Sequence, residues 1–178
     1  MEYIKDYTVN IISGHIAIDS VDRFINQIQK FSSTDIIIQV FNAAMIFGKS
    51  HLFSAVHHTL RSAEQNRLIT HSLSMELLLY ASGERQLKHA IPKMGVIAGN
   101  NSIVILIIHP KKKNMDIVEI IKKKLISMYS FKEDLQVLKS NIESLHAFGI
   151  TDEELQTIPK EKYHHLVLEK VAMVDIIK

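Results

Sequence analysis

The most distinctive chemical pair in the sequence is a single acid followed, after a glycine, by an arginine. Glu76 stands alone in the otherwise uncharged segment 72–81, and Arg85 follows the break at Ser82–Gly83. A buried carboxylate needs a cation or several hydrogen-bond donors, so Arg85 and Arg61 are its expected partners. Either the acid pins neighbouring helices through a structural ion pair, or it holds Arg85 so that the spare guanidinium donors face a ligand. The two interpretations are compatible.

One face of the helix predicted over residues 50–65 carries hydrogen-bond donors and no acid on its centre line. This face consists of Ser50, Ser54, His57, His58, Arg61 and Gln65. Outer helix faces more often mix both charge signs, and a donor-rich surface suits phosphates and nucleotide edges. Lys49 adds a cation near the start of the helix. An ordinary solvated face is the alternative, and the pattern leaves both interpretations open.

Motifs for catalysis, metals and cofactors are missing from the sequence. The chain has 10 histidines but no H-E-x-x-H and no cysteine, which argues against a zinc site. It also has no G-x-S-x-G elbow, no P-loop and no G-x-G-x-x-G. We therefore predict a binding module with no metal, no cofactor and no catalytic residue. A small α/β enzyme whose histidines do chemistry is the alternative from another class.

The elements that must position these residues include both strands and helices. Strand patterns cover residues 3–18, 35–42 and 102–110, the second apolar on both faces and so expected inside a sheet. Helical patterns cover residues 19–31, 50–65, 72–81, 84–94 and 115–128, and three short ones follow from residue 135. We expect an α/β protein with one domain: a mixed sheet with flanking helices over about 1–130 and a helical C-terminal region over about 131–178.

The C-terminal region has two notable helices. One should begin with a capping box formed by Thr151 and Glu154. The last helix is apolar over much of its surface, with a row at Val167, Val171 and Val174. Such a helix docks on its own core by default, or it leaves an apolar strip for a partner.

Length and charge set wider limits on the class of protein. The 178 residues are 47% hydrophobic and carry a net charge of +2, which argues neither for nor against nucleic acid. The charge-free apolar runs are too short or too polar for a membrane span of roughly 20 residues. The first residues lack the apolar core of a signal peptide. We expect a soluble, cytoplasmic protein with no membrane partner.

Several segments together resemble one family. They are "KSHLFSA" at 49–55, "SLSMELLLYASGERQLKHAI" at 72–91, "IVILI" at 103–107 and "VLEKVAMVDIIK" at 167–178. The sequence resembles the KEOPS-complex subunit that binds the complex's small kinase/ATPase, the PRPK-binding protein family, in its archaeal form. Pro92 departs from the pattern, and a kink or shortening of its helix would bear on any role of Lys93.

The resemblance implies a non-catalytic subunit of the machinery that makes threonylcarbamoyladenosine next to the tRNA anticodon. It implies docking on the kinase/ATPase and, for archaeal members, capture of the CCA 3′ end of tRNA. The residues expected to bind RNA are Lys49, His51, His57, Arg61, Ser72, Glu76, Ser82, Gly83, Arg85 and Gln86. Those expected to bind the kinase are Leu166, Leu168, Val171, Ala172 and Val174. A kinase-docking adaptor without its own RNA binding is the alternative.

Overall fold

The computed structural model describes residues 2–111, 116–139 and 141–177. These residues form two compact units. The first comprises the chain up to Ala43 together with Val96–Val137, and the second comprises Ala44–Gly95 together with the chain from Leu138. The expected single domain stays a prediction, and each unit is described by itself below.

The first unit contains five strands and two helices. The strands are β1 (Glu2–Ile4), β2 (Tyr7–Ile18), β3 (Ile37–Asn42), β4 (Gly99–Pro110) and β5 (Lys132–Glu133). The helices are α1 (Val21–Gln29) and α5 (Ile117–Tyr129). The expected α/β class, with helices beside a sheet, is confirmed. The core lies where Phe24 and Ile28 of α1 and Ile121 and Leu125 of α5 pack on one face of the sheet.

The sheet has the strand order β1-β2-β4-β3, and β5 pairs with β2. Every pair between the described strands is antiparallel, so the expected mixed sheet was wrong in this respect. The reason is that β2 and β3 run in the same direction but do not pair. Instead, β4 lies between them and runs antiparallel to each.

Strand β3 lies at the end of this strand order, although its apolar run predicted an interior strand. Its residues Ile37–Phe41 are all buried, so both faces are covered as the pattern indicated. An apolar run reports the burial of the two faces of a strand. It carries no information about the hydrogen-bonding edge, and this is why the prediction of an interior position failed.

A close backbone approach at Gly14 fixes β5 against β2. Gly14 is opposite Glu133, and a Cβ atom there would lie 2.2 Å from the Lys132 carbonyl oxygen and 2.8 Å from the Phe131 ring. Only glycine avoids both contacts at this position without moving the backbone.

We therefore expect Gly14→Ala to lower the free energy of unfolding by about 2 kcal/mol, the usual scale for overpacking. Urea denaturation measures this value. Ala17→Ser is the matched control, because Ala17 lies on the same strand but is exposed. Equal midpoints for Gly14→Ala and wild type would mean that β5 does not pair with β2 in solution.

The second unit consists of helices. They are α2 (Gly48–Glu64), α3 (Leu73–Ser82), α4 (Leu87–Met94), α6 (Ile142–Ala147), α7 (Asp152–Gln156) and α8 (Tyr163–Ile177). The expected helical C-terminal region is confirmed, and α2 to α4 belong to the same unit as these C-terminal helices. Pro92 lies inside α4, which continues to Met94. Among the helices of the described residues, none combines the length and apolar character needed to cross a bilayer.

Candidate functional site

Helix α3 is bounded by a residue suited to each of its ends. The Ser72 hydroxyl accepts a hydrogen bond from the Met75 amide at 3.2 Å, and Gly83 closes the helix in the left-handed conformation with φ of 67°. The amide of Gly83 donates to the Tyr80 carbonyl, as is usual at a glycine helix end. The sequence analysis placed Gly83 beside a ligand, but the helix end alone explains this glycine. A Cβ there would lie 3.4 Å from Lys170 of α8.

Glu76 is completely buried, as its apolar surroundings predicted, but its expected partner was wrong. One carboxylate oxygen accepts hydrogen bonds from the Ile69 amide (3.2 Å), the Thr70 amide (3.1 Å) and the Thr70 hydroxyl (2.9 Å). Among the described residues, the side chain of Arg85 makes no hydrogen bond or ion pair. Donors from the preceding loop, and not Arg85, therefore help to compensate the buried charge.

Arg61 is held by an acid that the sequence analysis did not single out. Its guanidinium pairs with the carboxylate of Asp175 in α8. The same carboxylate accepts hydrogen bonds from the Tyr80 hydroxyl and from Nδ1 of His58, the latter at 2.8 Å. Partial burial alone would raise the pKa of the Asp175 carboxyl, but these three donors outweigh it and lower the pKa to about 2. This cluster ties α8 to α2 and α3.

His51 and Ser82 lie inside the unit, and the RNA contacts expected of them stay predictions. The Phe47 amide donates to Nδ1 of His51 at 3.2 Å, and Nε2–H of His51 donates to the Ala81 carbonyl at 2.7 Å. Burial lowers the pKa of His51 to about 4, against the smaller opposite effect of the bond to Ala81. The Ser82 hydroxyl donates to the Leu79 carbonyl at 2.9 Å. Both side chains are structural.

A concave surface that encloses a volume of about 440 Å³ brings together three of the residues expected to bind RNA. They are Ser72, Arg85 and Gln86. The remaining lining comes from the loop before α3, from α3 itself and from α4: Ile69, Thr70, His71, Met75, Leu79 and Leu87. We call this concave surface the α3 cavity. Lys49 and His57 are exposed on α2 but are not among its lining residues.

The α3 cavity combines an apolar lining with unengaged donors. Ile69, Met75, Leu79 and Leu87 supply apolar side chains, which suit the flat face of a ring. Among the described residues, the side chain of Gln86, like that of Arg85, makes no hydrogen bond. A guanidinium at the rim can donate to a phosphate or to the edge of a base. The cavity therefore suits a ligand with both a flat ring and acceptor groups.

Helix α8 separates the residues expected to bind a partner into two groups. Val171 and Val174 are completely buried, together with Val167, and Leu166 packs against the cluster around Phe47 and Phe148. Val171 and Val174 fill the core of their own unit, and a partner contact at these two positions stays a prediction. Leu168 and Ala172 are partly exposed, and Met173 and Ile176 extend this outer face with exposures of 39% and 74%.

Cross-strand pairing in the first unit assembles a serine, a histidine and an acid that no motif had indicated. The Ser102 hydroxyl lies 3.0 Å from Nδ1 of His15, and Nε2 of His15 lies 3.2 Å from the Asp134 carboxylate. However, the Asp134 amide donates to the Ser13 carbonyl, and the Ser13 hydroxyl donates to the Asp134 carbonyl. The Asp134 carboxylate also accepts a hydrogen bond from the Gln136 amide. His15 is about half exposed. We interpret the set as a clasp that holds β5.

The described residues contain no group of three histidine, aspartate or glutamate side chains arranged to hold a metal ion. Among the residues that sequence reasoning missed are Asp175, Thr70, His71 and Leu87. Asp175 carried the same signal as Glu76, an acid in an apolar helix. The other three gave no signal, since their positions at the α3 cavity depend on how α3 and α4 pack.

Comparison with known proteins gives one family and one relative. The family described as Kinase binding protein CGI-121 matches residues 18–175 of the chain. A protein of Methanocaldococcus jannaschii named Regulatory protein Cgi121 is 30% identical over 141 residues, which are 79% of this chain and 84% of the relative. The match begins at the last residue of β2 and includes α3, α4 and most of α8. The family resemblance stated in the sequence analysis is thus confirmed, and the chain belongs to the CGI-121 family of kinase binding proteins.

Proposed function

We propose that this protein is a non-catalytic, cytoplasmic KEOPS subunit. In this proposal it docks on the small kinase/ATPase subunit and captures the CCA 3′ end of tRNA for threonylcarbamoyladenosine modification. The description of the family as kinase binding proteins supports the kinase part. The α3 cavity supports the RNA part, and the observation that carries it is the unengaged Arg85 guanidinium beside an apolar lining.

The chemistry of a single-stranded RNA end fits the α3 cavity. Unpaired bases expose flat faces that stack on apolar or aromatic side chains, and free edges that accept hydrogen bonds. Met75, Leu79 and Leu87 offer the apolar contact, while Arg85 and Gln86 offer donors. A base within a duplex has neither face available. This difference favours the tRNA tail over the helical stems as the ligand.

The outer face of α8 is the proposed kinase surface. It consists of Leu168, Ala172, Met173 and Ile176, defined here as the α8 outer face. Its buried side is fixed by Val167, Val171 and Val174, so the outer side chains are presented by a helix that is held firmly. An exposed apolar helix face of this kind suits docking in a groove of a partner.

A kinase-docking adaptor without RNA binding is the second candidate. It is favoured by the pairing of Arg61 with Asp175, which engages one of the two guanidinium groups expected to form a shared cationic surface, those of Arg61 and Arg85. The two candidates differ in what they require of Arg85. Only the RNA-binding protein needs this arginine to be accessible and unengaged.

Arg85→Ala is expected to weaken binding of intact tRNA by roughly 1–3 kcal/mol, because charge-assisted hydrogen bonds are lost. Gel-shift titration of intact tRNA, compared with tRNA lacking its CCA end, measures the effect. Lys88→Ala is the matched control, since it removes the same charge from an exposed position of α4 outside the cavity lining.

Three results would contradict the RNA part of the proposal. They are equal affinity of the wild type for the two tRNAs, equal losses in Arg85→Ala and Lys88→Ala, and an unchanged affinity in Arg85→Ala. Any of them would favour the docking-only adaptor. Kinase association should be the same in wild type and both variants, because neither substitution lies on the α8 outer face.

A further inference from the structure

We infer that Glu76 is a positioning residue that holds one wall of the α3 cavity in place for its ligand. This inference rests on the proposed capture of an RNA end. Glu76 is not among the lining residues of the cavity, but Ile69 and Thr70, which donate hydrogen bonds to its carboxylate, are. The acid therefore acts on the ligand through the loop that it holds.

The loop before α3 is also anchored at Arg67, whose guanidinium donates to the Asp175 carbonyl at 3.4 Å. Leu68 and Ile69 are exposed apolar side chains rather than members of a core. The Arg67 amide donates to the Ser62 carbonyl, and the Thr70 hydroxyl is also within 2.9 Å of the Ser72 carbonyl. The bonds of the Ile69 and Thr70 amides to Glu76 are charge-assisted, so they are the strongest of this group.

The platform under the loop is rigid. Glu76 lies in the first turn of α3, where the helix dipole stabilises a carboxylate. The rest of this helix, Leu77–Ser82, is buried throughout. Because the Glu76 side chain is fixed on this helix, its hydrogen bonds fix the position of the loop as well. A binding site whose geometry is formed before the ligand arrives needs such support.

The hydrogen bonds to Glu76 should therefore keep the width of the α3 cavity constant. Ile69 lies on the loop that Glu76 holds, and Leu87 lies at the start of α4; both line the α3 cavity. A flat ring stacks well only where the walls keep a constant separation. If the loop were released, Arg85 would still be present, but the loop would have to become ordered when the ligand binds. The conformational entropy lost in this step would weaken the affinity.

The test uses two substitutions that weaken the hydrogen bonds between Glu76 and the loop in different ways. Glu76→Leu puts an apolar side chain of similar size at this buried position. It removes the acceptor and leaves the amides of the exposed loop to water. Thr70→Val removes only the hydroxyl donor. Arg85 and the α8 outer face are intact in both variants.

We expect Glu76→Leu to weaken binding of CCA-terminated tRNA on the order of tenfold and Thr70→Val by about threefold. Hydrogen exchange of the Ile69 and Thr70 amides should become faster in Glu76→Leu, whereas its thermal melt should stay cooperative and its kinase association should match wild type. Glu76→Gln keeps an acceptor and should restore most of the affinity. A purely structural role of Glu76 would not give this separation of RNA affinity from folding and kinase association.

The outcomes distinguish this inference from the proposed function. If wild type does not bind the tRNA end, the proposed function fails and the inference falls with it. If wild type binds and folded Glu76→Leu binds equally well, the inference alone is overturned. Should Glu76→Leu fail to fold, Thr70→Val decides, because an affinity equal to that of wild type would also overturn it.

Discussion

Val171→Asp is expected to lower the free energy of unfolding by about 4 kcal/mol or more, because it places a charge in a completely buried position. From the sequence, this substitution would have been a test of kinase docking. The structure changes its meaning, since Val171 packs inside its own unit together with Val167 and Val174. Urea denaturation followed by circular dichroism measures the loss, and any loss of kinase association would follow from unfolding.

The neighbouring residue supplies a matched control with the same added charge. Ala172 is partly exposed on the α8 outer face, so Ala172→Asp should stay within about 1 kcal/mol of wild type. It should still weaken kinase association, on the order of tenfold, because a charge is introduced into an apolar contact. Equal stability of the two variants would contradict the burial of Val171. Unchanged association of Ala172→Asp would remove this face from the proposed kinase interface.

The outcome at α8 shows a limit of reading helices from sequence. The helix is apolar on several sides, so its pattern does not choose which row of side chains faces the core. The row at Val167, Val171 and Val174 and the row at Leu168 and Ala172 are equally apolar in the sequence. Only packing against other helices decides between them, and that information comes from residues far away in the chain.

Elements with local signals could be predicted well. The capping box of Thr151 and Glu154 is confirmed, with both of its hydrogen bonds present. The helix predicted over residues 72–81 is observed at Leu73–Ser82, because the serine cap and the glycine end are encoded within the segment itself. The strand at 102–110 is likewise confirmed within Gly99–Pro110.

Partners of the buried acids could not be predicted, although their burial could. Glu76 and Asp175 are each flanked by apolar residues in a helix, which indicates that each needs several donors. A sequence does not say which donors these are. Glu76 takes its donors from a loop only six or seven residues away, whereas Asp175 takes Arg61 from a helix 114 residues away. The long-range pair explains why Arg61 was wrongly expected to be available.

Acidification should destabilise the second unit through His51, with a loss of about 3 kcal/mol between pH 7 and pH 4. Burial lowers the pKa of His51 from 6.5 to about 4 in the folded protein. Between these values the unfolded chain binds a proton at this residue and the folded protein does not. Stability therefore falls as the pH falls through this window. At about 1.4 kcal/mol per pH unit, the difference between 6.5 and 4 gives about 3.5 kcal/mol over the whole transition. About 3 kcal/mol of this is lost between pH 7 and pH 4.

The shape of the pH dependence of stability distinguishes the contribution of His51 from that of Asp175. The pKa of Asp175 is lowered from 3.8 to about 2, so its contribution is complete above pH 3.8 and is lost only as the pH falls towards 2. His51→Gln removes the titrating group and should flatten the dependence between pH 4 and 6.5, even though its stability at pH 7 is also lower. His89→Gln, at an exposed position of α4, is the control and should keep the slope of wild type. If His51→Gln kept the wild-type slope, His51 would not be the buried neutral group that connects the start of α2 to the end of α3.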